Sequence, residues 1–135
     1  MKLFYRLLKK LKLLIMPIVK LYTNQKVRDG FAVEFSKFLS TLLNKPPFGL
    51  FVVVKDQNMM SHDNNADERV CVLEIKAIKI FNNQDNVGYA KGITDYLSKE
   101  LNCKQEKIVI DFVALNPGFV GRHATTVEVC EPESK

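Results

Sequence analysis

Sliding the chain on itself by 58 residues, without a gap, lays one half on the other. Asn24 falls on Asn82, Gly30 on Gly88, Phe31 on Tyr89, Phe35 on Ile93, Phe38 on Tyr96, Leu39 on Leu97, Leu43 on Leu101 and Asn44 on Asn102. Chance supplies apolar matches between any two helices. A shared glycine ahead of each helix and a shared Leu-Asn behind it are more specific, and they make the chain two copies of one unit.

The content of that unit follows from periodicity. Residues 17–22 alternate as a strand does. Over residues 29–43, Phe31, Phe35, Phe38, Leu39 and Leu42 recur every three or four residues, which puts them on one helical face. Lys45-Pro46-Pro47 stops that helix, because a residue before proline is pushed out of the helical region. Residues 49–54 are β-branched and apolar, a second strand, and 57–68 form a polar loop rich in Asn and Asp. The second copy repeats the order, with a strand over 69–80, a helix over about 85–101 carrying Tyr89, Ile93, Tyr96, Leu97 and Leu101 on one face, and a strand over 107–115. Two β-α-β units predict an α/β fold, a four-stranded sheet with both helices on one face. Strands such as "LFVVV" and "IVIDFV" read as apolar on both faces, yet two helices cover only one. The other is expected to pack against copies of the same chain.

A length of 135 residues, 47% hydrophobic, suits one domain with one core. The net charge of +5 is not spread over that domain. Residues 1–16 hold Lys2, Arg6, Lys9, Lys10 and Lys12 and no acid, and the remaining 15 basic residues match 15 acidic ones. A neutral body argues against a nucleic-acid-binding domain, which needs a basic stripe on the fold itself. The first sixteen residues form a basic amphipathic segment with Leu3, Leu7, Leu11 and Leu14 on one face. Three readings stay open for it: a membrane-surface or targeting helix, a helix packed on the domain or on a partner, and an upstream start that goes unused. Lysines at 9, 10 and 12 break the apolar centre that a secretory signal needs. The three cysteines, Cys71, Cys103 and Cys130, show no C-x-x-C and no metal-ligand spacing, so neither a metal, a cofactor nor thiol chemistry is predicted. The expected organisation is an N-terminal extension over 1–16, a domain over 17–126 and a polar tail over 127–135.

Five segments carry a family resemblance: "MPIVKLYTN", "DGF", "NKPPFGLFVVV", "AIKI" and "VALNPGFVG". Together they resemble the macrophage migration inhibitory factor and D-dopachrome tautomerase family over about residues 16–126. The resemblance implies a duplicated β-α-β subunit assembled as a homotrimer, with active sites between neighbouring subunits. It also implies keto-enol tautomerisation of phenylpyruvate-like 2-keto acids or dopachrome-like substrates. The alternative function is cytokine-like signalling or binding through a cell-surface receptor, on the same trimer, with little or no catalysis. With no classical secretion signal, the implied location is the cytoplasm, the extracellular space by a non-classical route, or both.

By that resemblance Pro17 is the catalytic residue, a general base and acid once the methionine before it is gone. An α-amino group titrates near pH 8, and an apolar pocket disfavours its charged form, which brings the base close to neutrality. From the residues alone, Pro17 reads as a proline opening a strand, with no chemistry of its own. Lys45 matches a pocket lysine that holds a substrate carboxylate or enolate, and it also reads as an ordinary lysine near a helix C-terminus. Ile78 matches a pocket isoleucine and is also a core residue. Val109 and Asp111 stand where macrophage migration inhibitory factor has a tyrosine and an asparagine. A carboxylate at Asp111 close to Pro17 raises the amine's pKa and repels acidic substrates; at the sheet rim it faces solvent. Arg122 follows Val120-Gly121 in place of a family tryptophan, and either pairs with a substrate carboxylate or belongs to a polar tail. His62 and His123 are given no role.

Overall fold

The fold is taken from a computed structural model, which describes residues 17–44 and 49–130. Strand β1 (Ile18–Thr23), helix α1 (Phe31–Leu42) and strand β2 (Phe51–Lys55) make the first unit. Strand β3 (Cys71–Ala77), helix α2 (Asn83–Leu101) and strand β4 (Ile108–Ala114) make the second. β1 and β2 pair in parallel, β3 and β4 pair in parallel, and the two units meet along the antiparallel β1–β3 seam, giving the order β2-β1-β3-β4. The expected four-stranded α/β sheet is therefore present. A small hairpin of β5 (Gly121–Arg122) and β6 (Thr125–Thr126) follows, and then a short helix α3 (Val127–Cys130).

Each helix docks through the face its sequence predicts. Phe31, Phe35 and Leu39 of α1 and Ile93, Leu97 and Leu101 of α2 are buried on Val19, Leu21, Leu73 and Ile75 of the two central strands. Burying one such side chain stabilises the fold by roughly 2 kcal/mol. Between the helices, the rings of Phe38 and Tyr96 stack with centroids 4.0 Å apart. The repeated Asn44 and Asn102 both take left-handed φ angles, 53° and 49°, so the Leu-Asn pair behind each helix is a repeated C-terminal stop. The repeated glycines differ. Gly30 sits at the N-cap of α1 with φ 82°, whereas Gly88 lies inside α2. Asn82 caps α2 earlier than the periodicity suggests, its side chain accepting from the Asp85 amide at 2.8 Å.

The uncovered face of the sheet corrects the expectation that it is apolar throughout. Alternation along the strands brings Lys20, Glu74 and Asp111 into one row across the middle, with Lys76 bridged to Glu74 at 3.0 Å. Apolar residues flank that row, Ile18 and Phe51 at one end of the strands and Tyr22, Val72 and Val109 at the other, with Val53 beside Lys20 on the β2 edge. The packed region also runs past Thr126, where a polar tail was expected to begin. Val127 is fully buried against Ile78 and Val120. No helix among the described residues is long and apolar enough to cross a membrane.

Candidate functional site

Pro17 is buried immediately ahead of β1. Its carbonyl accepts a hydrogen bond from the Phe51 amide at 2.9 Å, which pins the residue to the start of β2. Ile18 pairs with Lys76, so one further step of that antiparallel register sets Pro17 opposite Ala77, next to Ile78. Ile78 is fully buried in a small cluster with Val120 and Val127, with Leu115 packed against it. The Leu115 amide donates to the Ala77 carbonyl at 2.8 Å, which carries β4 past the same corner. The register thus sets Pro17 and Ile78 at the same corner of the sheet.

A groove of about 350 Å³ opens beside them, lined by Ile18, Phe51, Val53, Val120, Gly121 and Arg122. The β5–β6 hairpin forms one wall. Its two-residue turn, His123-Ala124, has φ angles of 55° and 63°, a left-handed geometry that non-glycine side chains adopt at a cost of about 1–3 kcal/mol per residue. That turn pairs Arg122 with Thr125 and presents the arginine to the β2 edge. The Arg122 guanidinium lies 5.3 Å from the centroid of the Phe51 ring, within cation–π range. Its Nε approaches His123 Nε2 at 3.4 Å. Its Nη1 is buried and has no hydrogen-bond partner. A buried charged donor without an acceptor costs on the order of 1–3 kcal/mol or more.

One sequence-predicted residue is not joined to this site. Asp111 is exposed on β4, across β3 from β1 and three residues along the strand from Pro17. At about 4.8 Å per strand and about 3.3 Å per residue, the separation within one subunit is roughly 14 Å. Lys45 lies outside the described residues. Phe51 was legible only through the alternation inside "LFVVV", which sends Phe51 and Val53 to the uncovered face and Val52 and Val54 to the core.

The thiols sit elsewhere. Cys71 and Cys103 are free and buried at the helix-side end of the β1–β3 seam. Cys103 donates to the Arg69 carbonyl at 3.2 Å, and Cys71 donates to the Thr23 hydroxyl at 3.9 Å. Burial pushes the Cys71 thiol up to about 12, with the neighbouring Cys103 adding to the rise and the Thr23 hydroxyl opposing it. Burial also raises Cys103. Among the described residues, no group of three His, Cys, Asp or Glu side chains could hold a metal ion.

Comparison with known proteins points one way. The family model described as "Macrophage migration inhibitory factor (MIF)" matches residues 16–128. The MIF-like protein mif-2 of Caenorhabditis elegans is 32% identical over 115 residues, covering 83% of this chain and 95% of that protein. D-dopachrome decarboxylase of Gallus gallus is 28% identical over 115 residues, covering 83% and 98%. Among solved structures, the macrophage migration inhibitory factor of Trichinella spiralis superposes with a TM-score of 0.74 at 23% identity, over 81% of this chain and 98% of that one. The homologue from Prochlorococcus marinus gives 0.73 at 18% identity, over 82% and 98%.

Proposed function

Because the chain belongs to the macrophage migration inhibitory factor family, we propose that it is a keto-enol tautomerase of phenylpyruvate- or dopachrome-like substrates whose base is the amine of Pro17. The observation that carries this reading is the position of Pro17, buried at the head of β1 and adjoining an apolar groove. A secondary amine there is disfavoured in its charged form, so it is neutral near pH 7 and takes the proton α to the substrate carbonyl. The same nitrogen, now protonated, returns the proton to the other end of the enolate. Ile78 closes the floor of the corner, and Lys45 is assigned to the carboxylate or enolate oxygen.

The chemistry requires Pro17 to be N-terminal. With residue 16 still attached, its nitrogen is a tertiary amide with neither a proton nor an available lone pair. A chain that retains residues 1–16 therefore has no proline-dependent turnover, and one that starts at Met16 and loses it does. The test is mass spectrometry of the natural N-terminus, with phenylpyruvate tautomerase assays of the long form, the form starting at Pro17, and Pro17→Gly in the short form. Equal activity in the long and short forms excludes Pro17 as the base.

The assembly we propose is a homotrimer. The apolar ends of the uncovered sheet face, Phe51 and Val109, which are 51% and 57% exposed, favour contact with further copies. A second reading, signalling or receptor binding without catalysis, gains from Asp111. Its carboxylate on the open face opposes acidic substrates in any assembly that brings β4 to the groove. We place the protein in the cytoplasm, outside the cell by a non-classical route, or both, and assign residues 1–16 a role at membrane surfaces where they are retained.

A further inference from the structure

We propose that Arg122 anchors the substrate carboxylate in the groove beside Pro17, which leaves Lys45 to the enolate oxygen. The inference rests on the reading of this groove as the substrate site, and it goes beyond that reading by naming the group that selects the substrate.

Three observations converge on this arginine. Its Nη1 is buried without an acceptor, although a guanidinium carries five donors in a planar fork that fits a carboxylate. The Phe51 ring lies 5.3 Å from the guanidinium carbon, so the plane is held against an aromatic face while its edge keeps its donors. The other lining residues, Ile18, Phe51, Val53, Val120 and Gly121, include no acid that could neutralise it. A low-dielectric wall strengthens the attraction between a guanidinium and an entering anion. The groove's volume of about 350 Å³ accommodates a single ring with a short acidic side chain. A carboxylate paired with Arg122 gives the orphaned donor its acceptor and leaves the apolar part of the molecule against Ile18 and Val53, on the side where Pro17 begins the strand. A neutral ketone of the same shape leaves Nη1 unpaired and gains nothing from it.

The test separates this anchor from the catalytic reading. Residues 17–130 contain the whole sheet, both long helices and the core, so the form starting at Pro17 is a suitable sample, alongside the full chain. Phenylpyruvate and its methyl ester are titrated by calorimetry into wild type, Arg122→Met and Arg122→Lys, and turnover of both compounds is measured in parallel. Thermal unfolding confirms that each variant is folded. Wild type is expected to bind the acid at least about tenfold more tightly than the ester, Arg122→Met to abolish that preference, and Arg122→Lys to keep part of it, since an ammonium lacks the bidentate fork. Acid-selective binding without turnover upholds Arg122 and sinks the proline mechanism. Equal binding of acid and ester by wild type, binding of neither up to millimolar concentration, or an undiminished preference in Arg122→Met overturns the anchor, whatever the turnover. Loss of oligomer mass in Arg122→Met with the preference intact also overturns it, because the acceptor is then a carboxylate of a neighbouring copy.

Discussion

Raising the pH above 9 should destabilise this protein through a residue that plays no part in the proposed reaction. Cys71 is fully buried, and burial, reinforced by neighbouring Cys103, pushes its thiol from an ordinary value near 9 up to about 12. Between those values the unfolded chain has released the proton and the folded chain still holds it. The unfolded state then binds fewer protons, so stability falls as pH rises, by about 1.4 kcal/mol per unit for one such group. Over two units, from pH 9 to pH 11, Cys71 alone should remove roughly 3 kcal/mol, a large share of a typical domain's stability. Tyrosines and lysines titrate in the same range, so the measurement is a difference. Urea unfolding of wild type and Cys71→Ala is followed at pH 8, 9, 10 and 11, both in a Cys130→Ser background. Wild type should lose stability more steeply by about 1.4 kcal/mol per unit above pH 9, although the variant starts lower because of its cavity. The same three-unit rise leaves the folded protein about a thousandfold less thiolate than a free cysteine, so an aromatic disulfide reagent should modify it only after denaturation. Parallel slopes for the two proteins, or rapid labelling of Cys71 in the folded state, would refute the reasoning.

Further outcomes follow from the packing and the site. Gly88→Ala should stabilise α2 by about 1 kcal/mol, raising Tm by about 3–6 °C, because nothing lies within 4 Å of the added methyl. Gly92→Ala should gain clearly less by calorimetry, since its methyl would meet Leu42 Cδ1 at 2.7 Å. Light scattering of the form starting at Pro17 should give the mass of a trimer at micromolar concentration; a stable soluble monomer contradicts the assembly. In such a trimer Asp111→Asn should lower the pKa of the Pro17 amine and raise tautomerase activity at neutral pH, read from pH-rate profiles. An unchanged profile would leave Asp111 in solvent.

Much of the fold could be read from the sequence because local periodicity and long-range packing agree. The phenylalanines of α1 and the leucine pairs of both helices recur at helical spacing, and they are the residues that reach the sheet. Strand limits were less legible where a side chain replaces the backbone ladder. Asn24 accepts from the Val70 amide at 3.0 Å and donates to the Glu68 carbonyl at 2.8 Å, so β3 begins at Cys71 and not at Arg69. The uncovered face was misjudged because a nearly continuous apolar run hides its own alternation, and the charges on that face come mostly from the central strands, Lys20 on β1 and Glu74 and Lys76 on β3. At the site, Pro17 and Ile78 could be paired from their motifs. The groove required Ile18, Phe51 and Arg122, which come together from three separate stretches of chain. Spacing along the sequence carries no record of that.

The antiparallel β1–β3 seam gives the molecule a property of its own, that of two fragments held in one chain. Each half supplies two parallel strands and the helix between them, and the halves join through one strand from each and the helix contacts above it. The only covalent link between them runs through the loop over 56–70, whose tip is the exposed Asp63-Asn64 turn with φ angles of 53° and 59°. A protease that cuts there breaks one peptide bond and no ladder hydrogen bond of the sheet. The cut chain should therefore stay together as a noncovalent heterodimer of its own halves. Separately produced peptides covering 17–63 and 64–130 should reassemble the sheet on mixing, with a stability that depends on their concentration as it does in any bimolecular complex.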